Sequence, residues 1–167
     1  MWKKISQRLQ NYPSRLKVAK IMVQLGLSVK ENGQIYCGPI ELPEAKIARA
    51  LGVDRRVVKE TAQLIIEDNE LKPIFMDLKP AGPFLADVAK FLGYKVIEIH
   101  ADSGKVGIIA KSATLIANEG ISIRQAVADD PDLYPEPKLT IVTEKEVSGN
   151  TLQMILKIDG VHKISAY

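Results

Sequence analysis

The segment IARALGVDRRVVK, residues 47–59, places two arginines and a lysine directly after an apolar stretch that contains a glycine. A glycine inside a helix costs ~1 kcal/mol relative to alanine, so Gly52 is a poor residue for the middle of one core helix. A loop would not carry so many apolar residues. The segment therefore predicts two helices that meet at a tight corner, the second presenting Arg55, Arg56 and Lys59 to an acidic partner.

A second stretch with chemical potential is DSGKVGII, residues 102–109, which lies between a β-type segment and an apolar helical pattern. A glycine at the start of a helix leaves the backbone open to close approach by a ligand. The free amides at a helix N-terminus attract a carboxylate or another anion. The stretch therefore predicts a small-ligand site, and the alternative is a tight turn without a ligand.

The remaining reactive side chains do not form a catalytic pattern. His100 and His162 are the only histidines, and we expect them on neighbouring antiparallel strands near Asp102 and Asp159. A metal ion is conceivable there, but two histidines across a strand pair are usually just packed. The chain has no Walker loop, no G-x-S-x-G and no cysteine pair at zinc spacing, and no nucleophile–base arrangement. We therefore expect no enzyme activity, no metal ion and no cofactor.

The composition bounds the class of protein. The 167 residues allow one ordinary domain or two small ones, and 46% hydrophobic with 26% charged residues predicts a packed core. Only 5% of the residues are aromatic, which disfavours single-strand nucleic-acid binding by stacking. No run approaches the ~20 apolar residues of a membrane span, and the basic N-terminus lacks a signal-peptide core. The single cysteine, Cys37, cannot form an internal disulfide, so we expect a reducing cytoplasm.

Charge is distributed unevenly along the chain. Residues 1–93 hold 15 Lys and Arg against 10 Asp and Glu, whereas residues 94–167 hold 8 against 10. No acidic residue precedes Glu31. A basic front half and a mildly acidic rear half predict two units with different partners. A solvated helix face is the alternative explanation of the basic run.

The front half, residues 1–93, has a mainly helical pattern. Three helices are predicted, over residues 14–25, 43–50 and 55–68. Asn32-Gly33 signals a turn before a short strand at residues 34–37. Residues 69–83 contain three prolines and a glycine and predict a connector with one short strand. Residues 84–93 predict a short amphipathic helix that ends at Gly93.

From Tyr94 the pattern changes to strand, helix, strand, strand, helix, strand. The strands are predicted at residues 95–101, 121–129, 138–147 and 162–167, and the helices at residues 106–120 and 151–157. The acidic turn between the second and third strands is expected to be solubilising, through Asp129, Asp130, Asp132 and Glu136. This order builds an antiparallel sheet with both helices on one face, so the predicted fold class is α+β.

The corner segment resembles the helix-turn-helix of transcription regulators. It carries that family's alanine at Ala48, Leu-Gly-Val at residues 51–53, a polar cap at Asp54 and a following valine, while Thr61 stands where the family usually has an apolar residue. The resemblance implies duplex-DNA contacts from the exposed part of the second helix. These residues are Arg55, Arg56, Lys59, Glu60 and Gln63. Arginine can read guanine and glutamine adenine, whereas lysine can equally bind phosphate.

The second half resembles an ACT domain, a small regulatory fold that commonly binds amino acids between paired subunits. DSGKVGIIAKSATLIANEGISI and LKIDGVHKISAY carry the resemblance over residues 95–167, with Gly107 at the place of the family's loop glycine. It implies a ferredoxin-like βαββαβ fold with an antiparallel sheet. It also implies a ligand site on one loop, formed by Asp102, Ser103, Gly104, Lys105, Val106, Gly107 and Ile108. Gly104 and Val106 stand where the family often has aspartate and proline. Because of this departure, the resemblance implies either an amino acid or another small polar metabolite as the effector.

The whole chain resembles small archaeal predicted regulators of amino-acid metabolism, with the helix-turn-helix domain at residues 1–93 and the ACT domain at residues 94–167. The resemblance implies a cytoplasmic, homodimeric, ligand-responsive DNA-binding regulator that pairs through its second half. The alternative is a regulatory or protein-interaction module that binds a small molecule or a partner protein and does not bind DNA. An enzyme is the third and least favoured class.

Overall fold

The computed structural model describes residues 1–167, which divide into two compact units, residues 1–82 and 83–167. The protein is mixed α+β, and each unit has its own antiparallel sheet. The boundary expected after residue 93 lies too late in the chain. Residues 83–93 belong to the second unit, because Ala86 and Ala89 pack there against Val96 and Val142.

The first unit consists of five helices and a three-stranded sheet. The helices are α1 (Trp2–Leu9), α2 (Pro13–Leu25), α3 (Glu44–Leu51), α4 (Arg55–Glu67) and α5 (Leu71–Asp77). The strands β1 (Leu27–Val29), β2 (Ile35–Cys37) and β3 (Ile40–Leu42) pair in chain order. Ile5, Met22, Ile65 and Phe75 are among the fully buried side chains of this unit, so its core is built mainly from helices.

Four elements of the first unit differ from the sequence prediction. Helix α1 and strands β1 and β3 lie where no element was predicted. Residues 69–83 do not form a connector with a strand, because α5 occupies residues 71–77. Pro73 is the third residue of α5, in the first turn, where a helix tolerates proline. Asp68 caps this start by accepting from the Leu71 amide at 3.0 Å.

The second unit begins with a 3₁₀ helix and continues with the predicted order of strands and helices. The elements are the 3₁₀ helix (Leu85–Leu92), β4 (Lys95–Ala101), α6 (Ile108–Asn118), β5 (Ile123–Ala128), β6 (Lys138–Thr143), α7 (Gly149–Leu156) and β7 (Val161–Ala166). The sheet has the order β5-β6-β4-β7, and each neighbouring pair is antiparallel. The first segment is thus a helix that ends at Gly93, as predicted, but it is of the 3₁₀ type.

The two faces of the second sheet are covered differently. Alternation along a strand sends successive side chains to opposite faces. Ile97 and Ile99 of β4 face α6 and α7 and join one buried core with Ile116 and Ile155. Val96 faces the other way, onto the 3₁₀ helix. Both α-helices therefore lie on one face, as the pattern predicted.

No helix in either unit combines the length and apolar character needed to span a membrane.

Candidate functional site

Helices α3 and α4 meet at a corner of three residues, Gly52, Val53 and Asp54. Gly52 ends α3 in the left-handed region at φ +63°, which glycine adopts without a Cβ penalty. The Val53 amide then donates to the Ala48 carbonyl at 3.0 Å. The Asp54 carboxylate accepts from the Arg56 amide at 2.7 Å and caps α4. The corner predicted from the Leu-Gly-Val-Asp sequence is therefore present.

The inner side of the corner is apolar and closely packed. Ile47 and Val58 are buried beneath it, and Ile65 is buried farther along α4. Thr61, the polar residue at an expected apolar position, is also fully buried, and its hydroxyl donates to the Val57 carbonyl at 2.6 Å. Because the hydroxyl is satisfied within the helix, Thr61 packs there without a lost hydrogen bond.

The outer side of α4 carries all five residues that the resemblance assigned to DNA contact, and we call this surface the α4 face. Arg55, Arg56, Lys59, Glu60 and Gln63 are each exposed. With 3.6 residues per turn, Arg56, Lys59 and Gln63 lie in the middle of this face. Arg55 and Glu60 lie at its two edges.

Ion pairs to neighbouring helices occupy the two edges of the α4 face. Arg55 Nε lies 3.0 Å from Glu44 Oε2 on α3, and Glu60 Oε2 lies 2.7 Å from Arg15 Nη2 on α2. Exposed pairs of this kind add at most about 1 kcal/mol each to stability. Their main consequence is that Arg55 and Glu60 each already have a charged partner within the chain.

The residues in the middle of the α4 face have no ion pairs with neighbouring helices. Arg56 and Lys59 take part in no ion pair, and each is exposed. Gln63 donates through its amide to Glu67 Oε1 at 2.7 Å. The two cations of the α4 face that can take a new anionic partner without breaking an existing pair are therefore Arg56 and Lys59.

In the second unit, the predicted ligand loop connects β4 to α6. Residues 102–107 are exposed and Ile108 is buried in the core. Gly107 stands immediately before α6 at φ +86°, and no side chain caps this end of the helix. The first amides of α6 are therefore available to an anion.

The ligand loop is joined to the turn between α7 and β7. Lys105 Nζ lies 2.7 Å from Asp159 Oδ2, and this bond raises the pKa of Lys105 and lowers the pKa of Asp159. His162 Nδ1 lies 3.9 Å from Asp102 Oδ1. The Asp102 amide also donates to the Gly160 carbonyl at 2.9 Å. The side chain of Lys105 is thus already held by a carboxylate of its own chain.

A cleft of about 180 Å³ opens between the ligand loop and the turn that follows β5. From the loop, it is lined by Asp102, Ser103, Lys105 and Ile108, whereas Gly104, Val106 and Gly107 lie outside its lining. The opposite wall includes Asp129, Pro131 and Pro137, and Ile99 and Leu139 supply apolar surface from the sheet. Sequence reasoning missed this wall because the two sides of the cleft are distant in the chain.

Asp129 was expected only to make the turn soluble, but the structure holds it in one position by hydrogen bonds. Its carboxylate accepts from the Lys138 amide at 3.2 Å, and its own amide donates to the Lys138 carbonyl at 3.0 Å. These bonds close the turn between β5 and β6. They also hold the Asp129 side chain at the wall of the cleft.

The two histidines lie on neighbouring strands but not opposite each other. The register pairs His100 with Lys163 and Ala101 with Val161, which leaves His162 outside the ladder. No group of three or more His, Cys, Asp or Glu side chains is arranged to hold a metal ion anywhere in residues 1–167.

Comparisons with known proteins assign no family to the chain. No family model and no curated protein matches it. Among solved structures, the crystal structure of PH0061 aligns with 92% of this chain and 88% of that chain, at 13% identity and a TM-score of 0.27. A likeness at this level carries no argument about fold or function, so any functional inference depends on the geometry described above.

Proposed function

We propose that the chain is a ligand-responsive transcription regulator, with a helix-turn-helix at α3–α4 and an ACT-type effector domain in the second unit. The observation that carries the proposal is the pair of unpartnered cations, Arg56 and Lys59, in the middle of an exposed helix face directly after a tight corner. The proposal includes regulation of amino-acid metabolism in the cytoplasm, without enzyme activity.

The dimensions and charge of α4 support duplex DNA as the partner. Its 13 residues give a helix of about 20 Å, and an α-helix fits the major groove of B-DNA. Arg56 has the planar fork that binds guanine edges, and Lys59 is a point charge suited to phosphate. Residues 1–82 hold 14 Lys and Arg against 9 Asp and Glu, so the surrounding field also attracts a polyanion.

The second unit supports a small effector. Its βαββαβ order and antiparallel sheet are compatible with an ACT domain of ferredoxin-like fold. The cleft of about 180 Å³ is smaller than the ~300–1,000 Å³ pockets of drug-sized ligands, so it suits an amino acid or another small polar metabolite. The open amides at the start of α6 would meet the effector's most anionic group.

The proposed assembly is a homodimer through the second unit. Strands β5 and β7 are the edges of its sheet, and an unpaired edge offers backbone groups to another copy of the chain. A two-fold dimer presents two α4 helices, which matches operators with half-sites about one helical turn apart. Sedimentation equilibrium of the full chain tests this step, because a protein that stays monomeric at high concentration contradicts it.

Duplex binding as a function of salt tests the proposed function. The full-length protein is titrated into a pool of random duplexes, and bound sequences are selected and measured at several NaCl concentrations. We expect binding that weakens steeply as salt rises. A thermal-shift screen of amino acids and small sugars tests the effector step in parallel. An effector without duplex binding at low salt overturns the regulator in favour of a small-molecule-binding module that does not touch DNA.

A further inference from the structure

Arg15, on α2, lies beside the α4 face although no sequence motif singled it out. Its Nη2 atom is 2.7 Å from Glu60 Oε2, and its guanidinium carbon is 4.6 Å from the centre of the Tyr12 ring. Its side chain is 25% exposed, compared with 54% for Glu60. Arg15 is therefore held from two sides but still reaches solvent.

A second contact fixes the same part of α2 against the corner. Lys17 Nζ donates to the carbonyl of Leu51, which is the last residue of α3, at 2.6 Å. Together, Lys17 and Arg15 join α2 to the end of α3 and to the edge of α4. The position of Arg15 relative to the α4 face is thus set by helix packing rather than by a flexible tail.

Arg15 is separated from Arg56, one of the unpartnered cations of the α4 face, by a single surface residue, Glu60. Residues one turn apart on a helix have Cβ atoms about 5–6 Å from each other, so Glu60 is a surface neighbour of Arg56. Because Glu60 binds Arg15, the Arg15 guanidinium lies next to that neighbour. A further guanidinium, that of Arg15 on α2, therefore lies beyond Glu60 at this edge of the α4 face.

The pair also explains how a carboxylate is tolerated on a surface suited to phosphate. Alone, Glu60 would repel a phosphate group. Arginine carries five N–H donors, and the bond to Glu60 uses one nitrogen of Arg15, which leaves other donors free. Stacking on Tyr12 orients the guanidinium plane, which a lysine could not reproduce.

We propose that Arg15 binds a phosphate of duplex DNA at the edge of the α4 face, with Tyr12 and Glu60 as the residues that position it. Glu60 then holds Arg15 and does not read a base. This inference rests on the proposed function, since it requires the chain to bind duplex DNA. It adds a contact from α2 that lies outside the helix-turn-helix segment.

The test measures dissociation constants of the full-length protein for a selected duplex and an unrelated duplex over a range of NaCl concentrations. Arg15→Gln should weaken binding to both duplexes by a similar factor and reduce the slope of log K against log salt by about 1. Arg15→Lys should keep the wild-type slope but bind less tightly, because it retains the charge without the stacked fork. Circular dichroism checks that each variant is folded.

Arg8→Gln is the matched control. Arg8 makes similar ion pairs, 2.7 Å from Glu70 Oε1 and 3.7 Å from Asp68 Oδ2, but both partners lie past the C-terminal end of α4. This variant should keep the wild-type slope although it loses the same charge. Glu60→Gln supplies a second test that keeps an acceptor for Arg15, and it should tighten binding to both duplexes.

The outcomes separate the two proposals. Wild-type protein that binds no duplex at low salt overturns the proposed function, and this inference with it. If the wild type binds but Arg15→Gln keeps the full slope, or Arg15→Gln and Arg8→Gln lose the same slope, Arg15 is not a phosphate contact and the proposed function stands. If Arg15→Gln does not fold, unchanged binding by Arg15→Lys and Glu60→Gln overturns the inference.

Discussion

The side chain of Lys105 lies across the backbone of Gly160, so closely that a Cβ atom on Gly160 would fall 2.5 Å from Lys105 Cγ. Beyond this crossing, Lys105 Nζ reaches Asp159 at 2.7 Å. The absence of a side chain at Gly160 is therefore what allows the ligand loop and the turn before β7 to approach. This relationship predicts that a side chain at Gly160 displaces Lys105 and thereby disturbs the ligand loop.

Gly160→Ala should destabilise the second unit more than Gly120→Ala does. Both glycines have positive φ, +90° and +68°, so each alanine is expected to cost about 1–2 kcal/mol. Only at Gly160 does the new Cβ also meet a side chain, because Gly120 faces open space. Urea unfolding followed by circular dichroism measures the difference. Adding Lys105→Ala should remove most of the excess, because it deletes the Cγ atom at 2.5 Å and keeps only the Cβ atom at 3.0 Å. Equal destabilisation by the two glycine-to-alanine variants would refute the packing argument.

Arg56→Ala and Arg55→Ala should differ in their effect on DNA binding. Arg56 has no ion-pair partner, so under the proposed function its loss should weaken selective binding by ~1–3 kcal/mol if it forms two bonds to a base. Arg55 is held by Glu44 at 3.0 Å, and its loss should have a smaller effect. Fluorescence anisotropy with the selected and the unrelated duplex measures both variants. A larger loss of selectivity for Arg55→Ala would contradict the assignment.

Local sequence signals were sufficient where one residue determines the backbone. Gly52 and Asp54 marked the end of α3 and the start of α4, since a left-handed residue and a side-chain cap act within a few positions. The alternating apolar residues of β4 predicted its bounds at residues 95–101. These features depend on neighbours in the chain and can therefore be predicted from sequence.

Features that depend on distant residues could not be predicted in the same way. Strands β1 and β3 have three residues each, too few for alternation to emerge. Arg15 pairs with Glu60, and Asp129 lies across the cleft from the ligand loop. Both contacts can be predicted only when it is known which elements pack together. The composition near Pro73 suggested a loop, although a proline in a first turn is compatible with α5.

Glu98→Gln should remove part of the pH dependence of stability. Glu98 binds Lys138 and accepts from the Tyr167 hydroxyl at 3.1 Å. The hydrogen bond from Lys138 lowers the pKa of Glu98 more than burial raises it, so this pKa lies below its ordinary value of 4.5. Its contribution is therefore fully present above pH 4.5 and is lost as the pH falls through the lower value of the folded state.

The partner of this pair predicts the opposite dependence at alkaline pH. The bond to Glu98 raises the pKa of Lys138 above 10.5, so that contribution is present below pH 10.5 and is lost as the pH rises through the higher value. Melting temperatures across both ranges should be flatter for Glu98→Gln than for the wild type. The control Glu146→Gln makes the same charge change at an exposed residue, and an identical flattening there would contradict the role of the pair.

Ser112→Ala should stabilise the second unit. The Ser112 hydroxyl is buried within α6 and has no hydrogen-bond partner, and an unsatisfied buried polar group costs about 1–3 kcal/mol. Alanine removes that group and also has the higher helix propensity, so we expect the free energy of unfolding to rise by about 1 kcal/mol.

The matched control is Thr143→Val, because the equally buried Thr143 hydroxyl donates to the Lys145 carbonyl at 2.8 Å. That variant should lower the free energy of unfolding by about 1 kcal/mol, since it deletes a satisfied bond. Urea titration of both variants in parallel gives the two signs. A destabilised Ser112→Ala would mean that the hydroxyl does have a partner, such as a buried water molecule.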